Sequence, residues 1–102
     1  MKPFHLWLVA EVQRRALGPE AAIVTVDQAL AESEASGERF YEAELHRLRG
    51  ELIAQAYPER AGEAEADLLR AVEAARAQGA RSLQARATRD LESLRSSLQA
   101  AL

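Results

Sequence analysis

Four interruptions decide what this chain can fold into: Gly18-Pro19, Ser36-Gly37-Glu38, the run from Tyr57-Pro58-Glu59 to Gly62, and Gln78-Gly79-Ala80. Proline removes a backbone donor and glycine leaves the right-handed helical region at little cost, so such clusters end helices. Between them lie five stretches whose apolar residues recur every three or four positions. Because the connectors are short, consecutive helices must lie antiparallel, which predicts a chain of helical hairpins.

The first predicted helix runs roughly from Pro3 to Leu17, with Pro3 suited to a first turn and Phe4, Leu8 and Val12 forming a stripe beside Trp7. The second, about Pro19 to Ala35, lines up Ala22, Val26, Ala29 and Leu30, and Glu20 suits its positive end. The third, near Arg39 to Ala56, sets Tyr41, Leu45, Leu48, Leu52 and Ala56 on one side and Glu44, Arg47 and Glu51 on a more polar one. The fourth, near Gly62 to Gln78, presents Ala64, Leu68, Ala71, Val72 and Ala75. The fifth, from about Arg81, carries Leu83, Ala87, Leu91, Leu94, Leu98 and Leu102. Each is amphipathic, so each depends on its neighbours for stability.

A chain of 102 residues supports one core and no second domain. Alanine is abundant and β-branched residues are sparse, a balance that favours helices over strands. Without cysteine there is no disulfide framework, thiolate nucleophile or cysteine-based metal site. The apolar run from Phe4 to Ala10 is too short for a signal-peptide core or a membrane span, so the expected setting is the cytoplasm, with no membrane partner. Acidic and basic residues interleave and the net charge is −3, so no basic stripe offers a nucleic-acid footprint. Lys2 is the one lysine among thirteen basic residues, and a GC-rich coding bias accounts for that preference for arginine.

Shifting the chain by 42 positions superposes Ala22 on Ala64, Ala29 on Ala71, Gly37 on Gly79, Arg39 on Arg81, and Arg47 on Arg89. The informative part is the shared glycine stop and the paired patterns Ala22-Val26-Ala29 and Ala64-Leu68-Ala71. Small, large and small at these spacings let two helix backbones approach while the larger side chain fills the gap.

That pattern resembles the second helix of a tetratricopeptide repeat, here in a longer period than the usual one. The segment from Gly37 through Phe40, Leu45 and Arg47 to Leu52, continued by Ala64 to Ala71 and by Ala77 to Leu83, is similar to the C-terminal tetratricopeptide-like regions of large bacterial signalling proteins. There it follows an ATPase module, often with a class III nucleotide cyclase or a DNA-binding transcriptional regulator. The resemblance covers roughly Val26 to Ala87 and implies an all-α, right-handed array of two and a half hairpins: repeat 1 at about 3–36, repeat 2 at about 39–78, and a capping helix at about 81–102. The ATPase and cyclase motifs are absent, so neither activity carries over. The proline that often ends a repeat is missing near Glu34 and Arg76, and the connector from Gln55 to Gly62 is longer than the one at Gly18.

Candidate chemistry is thin. Glu42 and His46 share a helix face, as half of a metal site or an acid–base pair would, but two ligands make no site, and a surface or interface role is expected. Carboxylate pairs such as Glu63/Asp67 and Glu32/Glu34 are what solvated helix faces supply. Neither a glycine-rich phosphate loop nor a nucleophile turn is present, so no enzyme and no cofactor are expected. Gly50 falls inside a strong helical pattern, where it costs about 1 kcal/mol against alanine; a close helix crossing would offset that.

By the tetratricopeptide resemblance, the first helix of each hairpin lines a concave groove, which makes Phe4, Trp7, Glu11, Glu44, Arg47, Glu51 and Arg89 candidate contacts for a protein or peptide partner. Arg47 and Arg89, one repeat apart, could hold carboxylates of an extended peptide; chance recurrence and intramolecular ion pairs are the favoured competing accounts, and Trp7 and Phe4 are also readable as core or dimer contacts. So short an array leaves apolar ends exposed. Self-association as a dimer, through the first or fifth helix, is therefore the expectation, with a purely structural helical bundle as the alternative function.

Overall fold

A computed structural model describes residues 3–37 and 39–100, with side chains from residue 6 onward. Among these residues there is no strand. The helices are α1 (Pro3–Ala16), α2 (Pro19–Ser36), α3 (Glu42–Ala56), α4 (Ala61–Ala77) and α5 (Arg81–Ala100), with a 3-10 turn at Pro58–Arg60 ahead of α4. Each helix packs against the next in sequence, and α3 also reaches α5. The described residues extend over 41 × 33 × 19 Å, and helices about 10 Å across fill the thin dimension in two layers.

The stops work as their residues require. Gly37 at φ 73° and Gly79 at φ 69° adopt the left-handed conformation that disfavours a side chain. After α4, the Ala80 N–H bonds the Ala75 carbonyl at 2.9 Å and the Gly79 N–H bonds that of Arg76 at 3.0 Å, which satisfies carbonyls the helix leaves open. One boundary differs from expectation: α3 begins at Glu42, not Arg39. The Arg39 carbonyl is held in a turn by the Glu42 N–H at 3.1 Å and by the Gln78 side chain at 2.7 Å, so the connector after α4 fixes the approach to α3.

The core gathers around α3. Leu45, Leu48, Leu52 and Ile53 have no solvent exposure, and each large aliphatic side chain so buried contributes about 1.5–3 kcal/mol. Both small–large–small patterns are buried, Ala22-Val26-Ala29 on α2 and Ala64-Leu68-Ala71 on α4. Gly50 is the close crossing its position suggested. A Cβ there would lie 2.9 Å from Leu68 Cγ and 3.1 Å from the Ala64 carbonyl oxygen.

The first helix corrects the expected pattern. Of the expected stripe, Leu8 and Val12 do not face the core: Leu8 is 42% and Val12 66% exposed, while Leu6 and Ala10 are buried. The Phe4 side chain lies outside the described residues. The inward face instead carries Leu6, Ala10 and Gln13, whose side-chain oxygen accepts the Thr25 hydroxyl of α2. With apolar residues on several sides, α1 offers two periodic faces, and contact with α2 selects the one with the small residue. On α5, Ala87 and Leu91 are buried, Leu83 and Leu94 half-buried, and Leu98 exposed; Leu102 lies outside the described residues.

Candidate functional site

Two arginines two positions apart on α3 point to opposite sides of the helix, because each residue advances it by about 100°. Arg47 is 8% exposed and grips Glu44 through two bonds, Nε to Oε1 at 2.9 Å and a terminal nitrogen to Oε2 at 3.0 Å. Its other terminal nitrogen donates to Asp90 of α5 at 3.0 Å and lies 3.3 Å from Glu51. Burial opposes the charge on Arg47, but hydrogen bonds and attraction from Glu44, Asp90 and Glu51 outweigh it and push the guanidinium pKa further up. Glu51 also meets Arg14 of α1 at 3.4 Å, and Arg14 holds Glu11 at 3.1 Å.

Arg49 serves the other side. It donates to Asp27 of α2 at 2.6 Å, to Glu63 of α4 at 2.9 Å and to buried Asp67 of α4. Burial again opposes the charge, and the bonds to Asp27, Asp67 and Glu63 again prevail. Half-buried Glu63, bonded by Arg60 and then Arg49, has its pKa lowered. The remaining Asp67 oxygen meets His46 Nδ1 at 3.2 Å, whereas Glu42, the helical neighbour singled out in the sequence, stands 4.0 Å from the other ring nitrogen. With one oxygen on Arg49 and one on His46, Asp67 acts as a clamp between α3 and α4, a carboxylate fully committed within the fold.

Of the residues expected to line a groove, Glu11, Glu44, Arg47 and Glu51 are thus brought into one ionic chain spanning α1, α3 and α5. Trp7 packs on both apolar clusters of the core. Arg89 is exposed and makes no ion pair among the described residues, so it stands outside that ionic chain; its neighbour Asp90 faces Arg47 instead. Sequence reasoning missed Asp90 because the 42-position shift put a like charge on Arg47. The available signal was charge itself: a buried arginine requires an acid opposite, and Asp90 is one position away.

A different surface emerges from aligning α1 with α3. Their last residues, Ala16 and Ala56, lie 40 positions apart, which places Ala10 on Gly50, Leu8 on Leu48 and Val12 on Leu52. Ala10 sits with Ala22 and Val26 as Gly50 sits against Ala64 and Leu68, so the alignment holds at both crossings. Leu48 and Leu52 are fully covered, whereas Leu8 and Val12 stand open. They belong to a shallow groove of about 630 Å³ lined by Trp7, Leu8, Glu11, Val12, Arg15 and Ala16. Arg15, at its edge, is exposed and makes no ion pair among the described residues.

No helix among the described residues is long and apolar enough to cross a membrane. No family model matches the chain, and no solved structure does. A similar sequence occurs in an uncharacterized protein of Rhizobium meliloti, 39% identical over 92 residues, a match that takes in 90% of this chain and 9% of that protein. The chain therefore spans less than a tenth of the length of the curated relative it matches.

Proposed function

We propose that this chain is a non-catalytic protein-interaction unit, a tetratricopeptide-like array of two and a half antiparallel hairpins acting in the cytoplasm within a larger signalling assembly. The observation that carries this reading is the open α1 face: Leu8 and Val12 are 42% and 66% exposed, where Leu48 and Leu52, their counterparts on α3, are 0% exposed. An apolar helix face of this kind gains by being covered, at roughly 25 cal/mol per Å² removed from water. The polar side chains lend the same support from the other direction. Glu44, Arg47, Glu51 and Asp67 are consumed by each other and by neighbouring helices, which favours recognition through apolar contact over acid–base work or an ionic groove. The alternative, a structural bundle assembled through α5, has less behind it, since Ala87 and Leu91 already face the chain's own core.

Affinity capture from cells that express the protein tests the reading, with wild type compared against Leu8→Glu/Val12→Glu. Wild type should retain proteins, or untagged copies of itself, that the double variant releases, while both melt at the same temperature. Identical recovery by the two forms would reject it.

A further inference from the structure

The open face of α1 is not only apolar; its pattern is complementary to itself. We infer that α1 pairs with α1 of a second copy, antiparallel, about a two-fold axis passing beside Val12. The inference rests on the reading of this face as an interaction surface and names its occupant.

Leu8 and Ala16 lie four residues either side of Val12, each about 6 Å along the helix axis. Reversing one helix against the other then sets the large Leu8 of each copy over the small Ala16 of the other, and Val12 over Val12. Glu11 and Arg15 occupy one flank of this stripe, a turn apart. In a two-fold antiparallel pair a flank meets the same flank of the second copy, so Arg15 comes opposite Glu11 twice over. Arg15 has no acid within its own chain among the described residues, and Arg14 engages Oε2 of Glu11. A second copy therefore supplies what the isolated helix lacks: cover for Leu8 and Val12 and a counter-charge for Arg15. An arbitrary apolar helix would satisfy only the first.

The chain has no cysteine, so one introduced thiol reports the geometry directly. Val12→Cys, on the axis, should oxidise to a covalent dimer far faster than Val24→Cys, which sits at a position 69% exposed on α2. Sedimentation of the full chain up to high micromolar concentration should show a dimer. Val12→Glu should make it monomeric while melting as the wild type does at concentrations too low for dimerisation, and Arg15→Glu should weaken the dimer about tenfold, because two attractive contacts become repulsive. A wild-type monomer throughout, a dimer indifferent to Val12→Glu, or equal oxidation of the two cysteine variants would overturn the inference. A monomer that still retains other proteins through Leu8 and Val12 in the capture experiment would refute the second copy while leaving the interaction reading intact. Failure of both experiments would remove both.

Discussion

The first and third helices are built to the same plan and finished differently. Each lays a small residue, Ala10 or Gly50, against the helix that follows it, and each carries a large aliphatic pair four residues apart on another side. Around α3 that pair is sealed; around α1 it is open. The contrast shows that burial here depends less on what a helix offers than on what lies against it: Leu48 and Leu52 share a cluster with Ala22, Ile23 and Val26 of α2, whereas nothing among the described residues covers Leu8 and Val12.

The sharpest way to break this comparison is to truncate both pairs. Leu48→Ala and Leu52→Ala should each cost about 3 kcal/mol and lower the melting temperature by roughly 15 °C, whereas Leu8→Ala and Val12→Ala, measured at concentrations too low for dimerisation, should stay within about 0.5 kcal/mol. Comparable losses at 8 and 48 in thermal denaturation would show that the α1 face is core after all. Asp67→Ala comes next, at about 3 kcal/mol by urea titration, because it strips a buried partner from Arg49; Glu51→Ala, half-exposed at its outer end, should cost under about 1 kcal/mol. Gly50→Leu should destabilise by about 2 kcal/mol, since the new side chain meets the Ala64 backbone and a tightly held Leu68; an unchanged melt would show that the α3–α4 crossing yields easily.

The smallest effect is electrostatic. The Glu63 pKa is lowered in the folded state from an ordinary value of 4.5, so its contribution is present above pH 4.5 and disappears as the pH falls through the lower folded value. The urea midpoint of wild type should therefore decline on acidification more than that of Glu63→Gln, and parallel curves would dismiss the contribution.

The second helices were legible because alanine and glycine carry their meaning locally: a small–large–small pattern followed by a glycine stop specifies a close-packed helix and its end, and Ala22 to Gly37 and Ala64 to Gly79 behave as written. The first helices were less so. The longer connector Tyr57–Arg60, set against Leu17–Gly18, makes the offset between α1 and α3 40 positions instead of 42, so a single shift hid the match of Leu8 with Leu48. The outward turn of Leu8 and Val12 was illegible for another reason. Periodicity reports that a face is apolar and is silent on whether anything covers it.

The paired arginines of α3 have a consequence for how the protein comes apart. Every other helix is tied to α3 by an ion pair: α1 through Arg14–Glu51, α2 through Asp27–Arg49, α4 through Asp67–Arg49, and α5 through Asp90–Arg47. Parting any of them from α3 breaks at least one such pair, and for α4 and α5 the broken pair includes a buried group, Asp67 or Arg47. The chain should therefore lose its structure as one cooperative unit, with the amides of α3 the last to exchange with solvent and no stable partly unfolded form on the way.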